Sequence, residues 1–433
     1  MIPTLVIASI TFITIILSIF LFPHIRIKNF KIDTYWIIAL IGAITLLSFN
    51  FAPIGDVWNQ LISNNEINPL KILILFFSMT LISVILDELG LFSYLASVAS
   101  SKAKDKQFLL FLIIYLLTSV LTIFTSNDVV ILTFTPFICF FAKRSKINPI
   151  PYLVSEFVAA NTWSLMFMIG NPTNIYLASS AHISFFDYFK VMAVPTLVGG
   201  IVEFGLLTLI FHKSLKQPLQ SNELVYHLNN KAPIIVGLSH LLICLIFLIV
   251  SGYVGLPMWL ISLICASSLL LFMIIYSFFV KSNFEHVKES LIRLPYQLIP
   301  FFLSMFVIVV ALNKQGISEA LGNFLGSNAP IWVYGLASLI SSNLINNIPM
   351  SILFADIVKT LPESLYLKGV YASIIGSNIG AFLTPIGALA GIMFTGLVAK
   401  NNIRFRFIDF VKYGAMISIP VLSVILAMTM LFV

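Results

Sequence analysis

Charge is what this sequence lacks. Only 9% of the 433 residues are Asp, Glu, Lys or Arg, whereas a soluble domain carries about 25%, and the shortage excludes an ordinary soluble enzyme. Cysteine is scarce too. Cys139, Cys244 and Cys265 lie apart within apolar runs, with no CxxC pair and no even-numbered framework. They read as small apolar residues in helix packing, with a soft metal-ligand or redox role as the other reading. The histidines His24, His182, His212, His227, His240 and His286 form no metal-ligand spacing. No Walker A loop is present, so ATP hydrolysis is not intrinsic to the chain, and no serine nucleophile elbow occurs. Segments 54–69 and 212–231 are too short for a catalytic domain. Ile2 to Phe22 has no basic region before it and no small-residue cleavage site after it, so it is expected to be a retained helix and not a signal peptide.

What is present is apolar. Hydrophobic residues make up 59% of the chain, including 39 Phe, which predicts an all-α polytopic membrane protein with lipid as its solvent. The net charge of +7 is then explained by basic cytoplasmic loops and not by nucleic acid. Runs of spanning length fall at 2–22, 34–53, 70–86, 187–211, 232–250, 256–280, 295–312 and 408–432. Between them lie four less regular blocks, 107–142, 152–181, 329–360 and 369–398. The pieces 107–124 and 128–142 are short for two crossings and meet at Ser126-Asn127-Asp128, which predicts a re-entrant hairpin with a polar tip. The block 329–360 repeats this around Ser341-Ser342-Asn343 and Asn346-Asn347. The other two blocks are interrupted by Gly, Pro and Asn, which predicts two discontinuous transmembrane helices, since irregular backbone at membrane depth must be buried in protein or line a cavity.

Lysine and arginine set the orientation. With the N-terminus outside, 19 of the 24 basic residues fall inside: Arg26/Lys28/Lys31, Lys102/Lys104/Lys106, Lys143/Arg144/Lys146, Lys213/Lys216/Lys231, Lys281/Lys288/Arg293 and Lys400/Arg404/Arg406/Lys412. Lys71, Lys190, Lys314, Lys359 and Lys368 fall outside. Both termini are thereby predicted outside the plasma membrane. Asn161 to Gly170 aligns without a gap on Asn378 to Gly387, each stretch opening on Asn and closing on Ile-Gly. Asn127 precedes Asn161 by 34 residues, and Asn346 precedes Asn378 by 32. The charge pattern puts the two hairpin tips toward opposite sides. Together these features predict an inverted repeat, 1–211 and 232–433, joined by a cytoplasmic linker at 212–231, with the binding site between the repeats near the bilayer midplane.

A helix interrupted in lipid exposes N–H groups at one half and carbonyls at the other. The first suit an anion or a polarised oxygen, the second Na⁺ or a proton-bearing group. Gly170, Gly376 and Gly387 are expected to allow backbone approach at the breaks, and Pro172 and Pro385 remove donors there. Asn171, Thr173, Asn174 and Thr384 offer neutral hydrogen-bond partners, although a helix kink whose amides cap neighbouring carbonyls also accounts for 170–174. Asp128 is the most informative residue. A carboxylate at a hairpin tip in low dielectric either keeps its proton or sits beside a cation, which suits a proton- or Na⁺-coupled step. The other reading is a cap, with Asn127 or Asp128 holding the first N–H groups of the following helix. Asp87, Glu88 and Glu156 are placed near helix ends within reach of water, and Asp356 near the outer end of the second hairpin. Glu203 lies inside a span with no basic residue near it in sequence, and His240 is a polar packing or pore-lining group. Neither a cofactor nor a metal is implied. The energy source is an ion gradient, the membrane potential or a separate ATPase subunit.

Several of these motifs together resemble a known family. They are Asn127-Asp128 with the Thr133–Ile138 run, Ala160-Asn161, Gly170-Asn171-Pro172-Thr173-Asn174-Ile175, Asn346-Asn347-Ile348-Pro349, Gly376-Ser377-Asn378-Ile379-Gly380 and Leu383-Thr384-Pro385-Ile386-Gly387-Ala388-Leu389-Ala390. They look like the arsenite efflux permease branch of the ion transporter superfamily, which also holds citrate and dicarboxylate carriers, Na⁺/H⁺ antiporters and the melanosomal P protein. The resemblance covers nearly the whole chain. It implies a helical secondary carrier with two hairpins and two discontinuous helices that exports arsenite or antimonite against protons and can work with a separate arsenite-stimulated ATPase. Carried over by motif, the substrate and ion positions are Ser126, Asn127 and Asp128 in the first hairpin; Asn161, Gly170, Asn171, Thr173 and Asn174 in the first broken helix; Asn346 and Asn347 in the second hairpin; and Asn378, Thr384 and Gly387 in the second broken helix. Dicarboxylate members carry Ser-Asn-Thr motifs, whereas Ser126-Asn127-Asp128 places an acid there, and like-charge repulsion disfavours a dicarboxylate. The expected function is proton antiport of a small inorganic solute, arsenite or antimonite. Na⁺/H⁺ antiport or Na⁺-coupled uptake of citrate or a dicarboxylate is the alternative, and a homodimer is compatible with either.

Overall fold

A computed structural model describes residues 2–22, 24–27, 30–63, 68–103, 106–217, 231–280 and 284–433. Residues 218–230 of the expected linker, His227, and Lys28, Lys104 and Lys281 of the basic groups lie outside the described residues. The chain is helical almost throughout. A two-stranded antiparallel ribbon, His24–Ile27 paired with Phe30–Asp33, is the one sheet among the described residues, and an all-α reading omits it.

The helices follow the same order in each half. The first half runs Ile2–Leu21, Thr34–Ser48, Ile54–Ile62, Pro69–Glu88, Leu91–Ala103, Gln107–Phe124, Asn127–Arg144, Ile150–Trp163, Pro172–Ser180 and Phe185–Leu215. The second runs Ala232–Val254, Met258–Phe279, Glu285–Ile292, Leu298–Lys314, Ile317–Leu325, Pro330–Ile345, Asn347–Ile357, Glu363–Gly380, Leu389–Lys400 and Phe407–Thr429. Packing between the halves is reciprocal. Thr34–Ser48 lies on Leu298–Lys314 while Met258–Phe279 lies on Pro69–Glu88, and Pro172–Ser180 lies on Asn347–Ile357 while Leu389–Lys400 lies on Asn127–Arg144. The two terminal helices of the halves, Phe185–Leu215 and Phe407–Thr429, pack on each other.

Among the described residues six helices are long and apolar enough to cross a membrane. Leu298–Lys314 and Ile317–Leu325, which meet at 77°, make a seventh if they form one bent span. The short helices Ile54–Ile62, Leu91–Ala103, Glu285–Ile292 and Ile317–Leu325 fall outside the predicted runs, because each is shorter than a crossing and carries no spanning-length apolar signal. Helices meet at both predicted polar tips, Gln107–Phe124 and Asn127–Arg144 at Thr125-Ser126 and Pro330–Ile345 and Asn347–Ile357 at Asn346, and Gln107–Phe124 is itself among the six helices long enough to cross. Both breaks form too, at 164–171 and 381–388.

Small residues bring the second hairpin and the second broken helix together. A Cβ on Gly376 would stand 2.1 Å from the Gly335 carbonyl oxygen and 2.0 Å from Ser338 Oγ, and one on Gly380 would stand 2.4 Å from Ser342 Oγ. Gly376 and Gly380 are four residues apart on one helix face, the small-xxx-small spacing that lets two membrane helices approach backbone to backbone. Gly376 thus acts between helices and not at the break, which begins beyond Gly380. Gly376→Ala is expected to force the pair apart and destabilise the fold by about 3 kcal/mol. An unchanged melting temperature of the purified variant would show that this contact is looser than described.

Two acids are placed differently from the expectation of water-accessible helix ends. Glu156 lies mid-helix in Ile150–Trp163 and is fully buried, with Thr135 Oγ1 3.0 Å from both carboxylate oxygens. Asp87 is buried at the end of Pro69–Glu88, where Arg293 Nη2 lies 2.6 Å from its Oδ2 and Nη1 of the same guanidinium reaches Glu88. Both corrections have one cause: a carboxylate can leave water where a neighbouring helix supplies its partner. The cysteines are buried as expected for packing. Cys244 Sγ, however, contacts Met79 Sδ at 3.6 Å and interacts with Cys265 on the neighbouring helix.

Candidate functional site

Ser126 begins the first site. Its backbone is extended (φ −144°, ψ 155°) and its Oγ accepts from Val129 N–H at 3.4 Å, so Ser126 is the N-cap, and Asn127 Oδ1 holds the Asp128 N–H of the first turn as well. The residue just before the helix has the geometry to reach back to the free N–H groups. Asn127 also faces another element: its Nδ2 donates to Asn161 Oδ1 at 3.1 Å, while its Oδ1 accepts from Asp128 N–H at 2.9 Å. Asp128 is buried in the first helical turn, where the positive end of the helix dipole favours negative charge. Its carboxylate accepts no hydrogen bond among the described residues, and the Tyr35 phenol interacts with it electrostatically.

The first break is built around Gly170. A Cβ there would fall 2.3 Å from the Ser164 carbonyl oxygen, so only glycine closes this loop tightly. Asn171 then starts Pro172–Ser180 as its cap, its Oδ1 accepting from Thr173 N–H at 3.2 Å and Thr173 Oγ1 at 3.1 Å. Asn174 Nδ2 donates to the Ser164 carbonyl oxygen at 2.9 Å and ties the two edges of the break together.

Asn378 joins the halves. Its Oδ1 accepts from Asn171 Nδ2 at 3.0 Å and lies 2.9 Å from Ser164 Oγ, while its Nδ2 donates to Asn174 Oδ1 at 2.6 Å and to the Ile374 carbonyl oxygen at 2.8 Å. An amide has two donors and two lone pairs; both donors of Asn378 and one lone pair are committed, and the other lone pair faces Ser164 Oγ, whose one proton also lies within reach of the Asn161 carbonyl oxygen at 2.7 Å. The residues are fully buried.

The second site is organised by backbone. Asn346, at φ 72°, caps Asn347–Ile357 through Ile348 N–H at 3.3 Å and donates from Nδ2 to the Ile386 carbonyl oxygen at 3.0 Å. Asn347 N–H donates to the Gly387 carbonyl oxygen at 3.0 Å. A Cβ on Gly387 would stand 2.6 Å from the Gly380 carbonyl oxygen, the same tight closure seen at Gly170. Thr384 Oγ1 donates to Asn343 Oδ1 at 2.6 Å. The two halves are therefore not chemically equivalent, because Asn127 meets Asn161, whereas Asn346 meets the Ile386 backbone and leaves Asn378 to the first break.

Residues 33–367 match the family described as CitMHS, citrate transporter. The chain belongs to the citrate transporter family. The match includes both hairpin tips and the first break, and ends before Asn378. Beyond the family match, the chain is 26% identical over 407 residues to an arsenical pump membrane protein of Escherichia coli strain K12, covering 90% of this chain and 91% of that one. It is 26% identical over 366 residues to an uncharacterised transporter of Mycobacterium tuberculosis, covering 80% and 82%. The crystal structure of the Alcanivorax borkumensis YdaH transporter, described as having an unusual topology, shares its fold at a TM-score of 0.55 and 14% identity over 99% of this chain and 97% of that one. As a member of the citrate transporter family the protein is a multi-pass membrane transporter and not an enzyme.

Two residues of this family member's polar clusters were not among the sequence candidates. Ser164 presents its hydroxyl to Asn378 and its carbonyl to Asn174, and Asn343 holds both Thr384 and the Gly380 carbonyl oxygen at 2.9 Å. Asn343 was visible as part of the second polar tip. Ser164 gave no such signal, since a lone serine after an apolar helix is commonplace. Asp356 stands away from both clusters, bonded to Asn313 and Lys359 beside a cavity of about 300 Å³ that Tyr176 also lines.

Proposed function

We propose that this transporter exports a small, uncharged inorganic solute, arsenite or antimonite, in exchange for protons. The observation that carries the reading is the amide cluster around Asn378, where Asn171, Asn174 and Ser164 meet with no cationic side chain among their hydrogen-bond partners. Arsenite is a neutral hydroxylated solute near pH 7, and amides and hydroxyls match it without a full charge, whereas a citrate carried in the same place would need compensating cations. The name of the Escherichia coli relatives, arsenical pump membrane protein, points the same way. In this reading the candidate residues named above hold the solute, and Asp128 carries the coupling proton.

The repeat 1–211 and 232–433 inverts about the membrane plane, with both termini outside the plasma membrane. The common helix order and reciprocal packing of the halves support it, as does the matched closure at Gly170 and Gly387.

A second reading, Na⁺-coupled uptake of citrate or another carboxylate, is favoured by the family description. Counterflow in proteoliposomes with arsenite, citrate, succinate and Na⁺ side by side separates the two. Arsenite exchange without Na⁺ is the expected result; Na⁺-dependent citrate exchange with no arsenite flux would overturn the proposal.

A further inference from the structure

Glu203 is the largest piece of chemistry that the solute site leaves unused. It lies within Phe185–Leu215, fully buried, and neither carboxylate oxygen has a hydrogen-bond partner among the described residues. Its interacting neighbours are Tyr115 and Thr162. The donors around it are mostly committed. Tyr115 Oη donates to the Gly200 carbonyl oxygen at 2.6 Å, and Trp163 Nε1 donates to Tyr115 Oη at 3.0 Å. That leaves the Thr162 hydroxyl, itself without a partner among the described residues, as the one donor able to serve an ionised carboxylate. A protonated carboxyl meets a better arrangement, because its O–H can be given to the second lone pair of Tyr115 Oη or to Thr162 Oγ1.

Charge elsewhere does not compensate. Of the elements packed on Phe185–Leu215, Ala232–Val254 brings His240, whose Nδ1 lies 2.8 Å from Val236 O of its own helix. Phe407–Thr429 brings Tyr413, whose ring packs on Phe211, and at its start the paired Arg406 and Asp409 and the exposed Lys412, which acts on Asp409. Ile150–Trp163 brings Glu156, which Thr135 holds, and the Met168–Gly170 turn brings no titratable group. An isolated ionised carboxylate in this setting is prohibitive, and acids inside membrane spans are functional by default.

One of the two residues that commit Tyr115, Trp163, belongs to the moving part of the proposed carrier, and the other, Gly200, lies on Phe185–Leu215. Trp163 ends the first half of the first broken helix, two residues after Asn161, which Asn127 of the hairpin tip holds. Its ring covers Gly200, where an added Cβ would fall 2.4 Å away. A shift of the broken helix against Phe185–Leu215 would withdraw the Trp163 N–H from Tyr115 Oη and its ring from Gly200, so that Tyr115 Oη can reorient from the Gly200 carbonyl oxygen toward Glu203.

We propose that Glu203 is a second proton-carrying carboxyl, separate from Asp128, which keeps its proton while Trp163 and Gly200 hold Tyr115 and gives it up when the first broken helix moves. The proposal rests on the proton-coupled reading above. The test compares wild type, Glu203→Gln and Glu203→Asp in proteoliposomes by infrared spectroscopy and by flux. A protonated carboxyl C=O band present in wild type and lost in Glu203→Gln is expected, together with roughly tenfold weaker pH-gradient-driven net flux, persistent solute counterflow, and recovery of the drive in Glu203→Asp. Absence of the band in wild type, or equal pH-driven flux in wild type and Glu203→Gln, would overturn the proposal. Absence of pH-driven flux in wild type would instead overturn proton coupling itself, and the band alone would then decide whether Glu203 holds a proton.

Discussion

Replacing Asn378 with leucine is expected to lower solute flux by about 100-fold or more while the protein still inserts. Leucine branches at the same carbon as asparagine but satisfies none of the four groups that the amide holds. Asn171 Nδ2 and Asn174 Oδ1 would lose their partner across the two broken helices, while Ser164 Oγ keeps the Asn161 carbonyl oxygen, and each buried polar group left unpaired costs roughly 1–3 kcal/mol. Two such losses already correspond to a factor of about 100 or more in an equilibrium constant. Asn378→Asp keeps the acceptor side and loses the donation to Asn174, so its flux should fall between those of wild type and the leucine variant. Substrate counterflow by reconstituted protein, normalised to the amount in the membrane, measures both. Wild-type flux from Asn378→Leu would mean that the amide cluster is only a helix kink.

The second large effect belongs to Asp128. Asp128→Asn is expected to abolish the response of flux to an imposed pH gradient and to leave insertion intact. The carboxyl is buried at the start of its helix and accepts no hydrogen bond among the described residues, so its ionised form is stabilised chiefly by the helix N-terminus. A proton added from the acidic side removes the charge, and its release on the other side restores it. Asparagine keeps the shape and is neutral at every pH. Wild-type flux should therefore rise with an acid-outside gradient by roughly tenfold or more, and the variant should run at one rate with or without it. Equal stimulation of the two proteins would remove Asp128 from the coupling step.

These two residues differ in how plainly the sequence announced them. Asp128 stood out because burying an acid between two short apolar pieces is costly unless the acid binds or titrates. Asn378 was visible as the counterpart of Asn161, and from that equivalence a mirrored role would follow. The structure gives the two different partners: Asn161 takes the hairpin tip, and Asn378 takes the opposite break. Glu156 shows the same limit, because the turn near which it was placed is four or more residues away and its partner Thr135 lies on another helix.

The sequence by itself determined the solvent, the long apolar helices, the polar tips and the breaks, because these depend on composition and on neighbours within a few residues. Apolar runs need lipid, and clusters such as Gly170-Asn171-Pro172 and Thr384-Pro385-Ile386-Gly387 interrupt a helix where a single Pro136, Asn161 or Gly376 does not. The tertiary structure alone decided which polar tip meets which break, where Arg293 pairs, and that Tyr115, Thr162 and Glu203 share one pocket of protein. Those outcomes depend on the rotation and depth of each helix against partners more than 200 residues away, set by contacts such as Gly376 on Gly335, and a side chain's facing direction leaves no trace in local pattern when all faces of the helix are apolar.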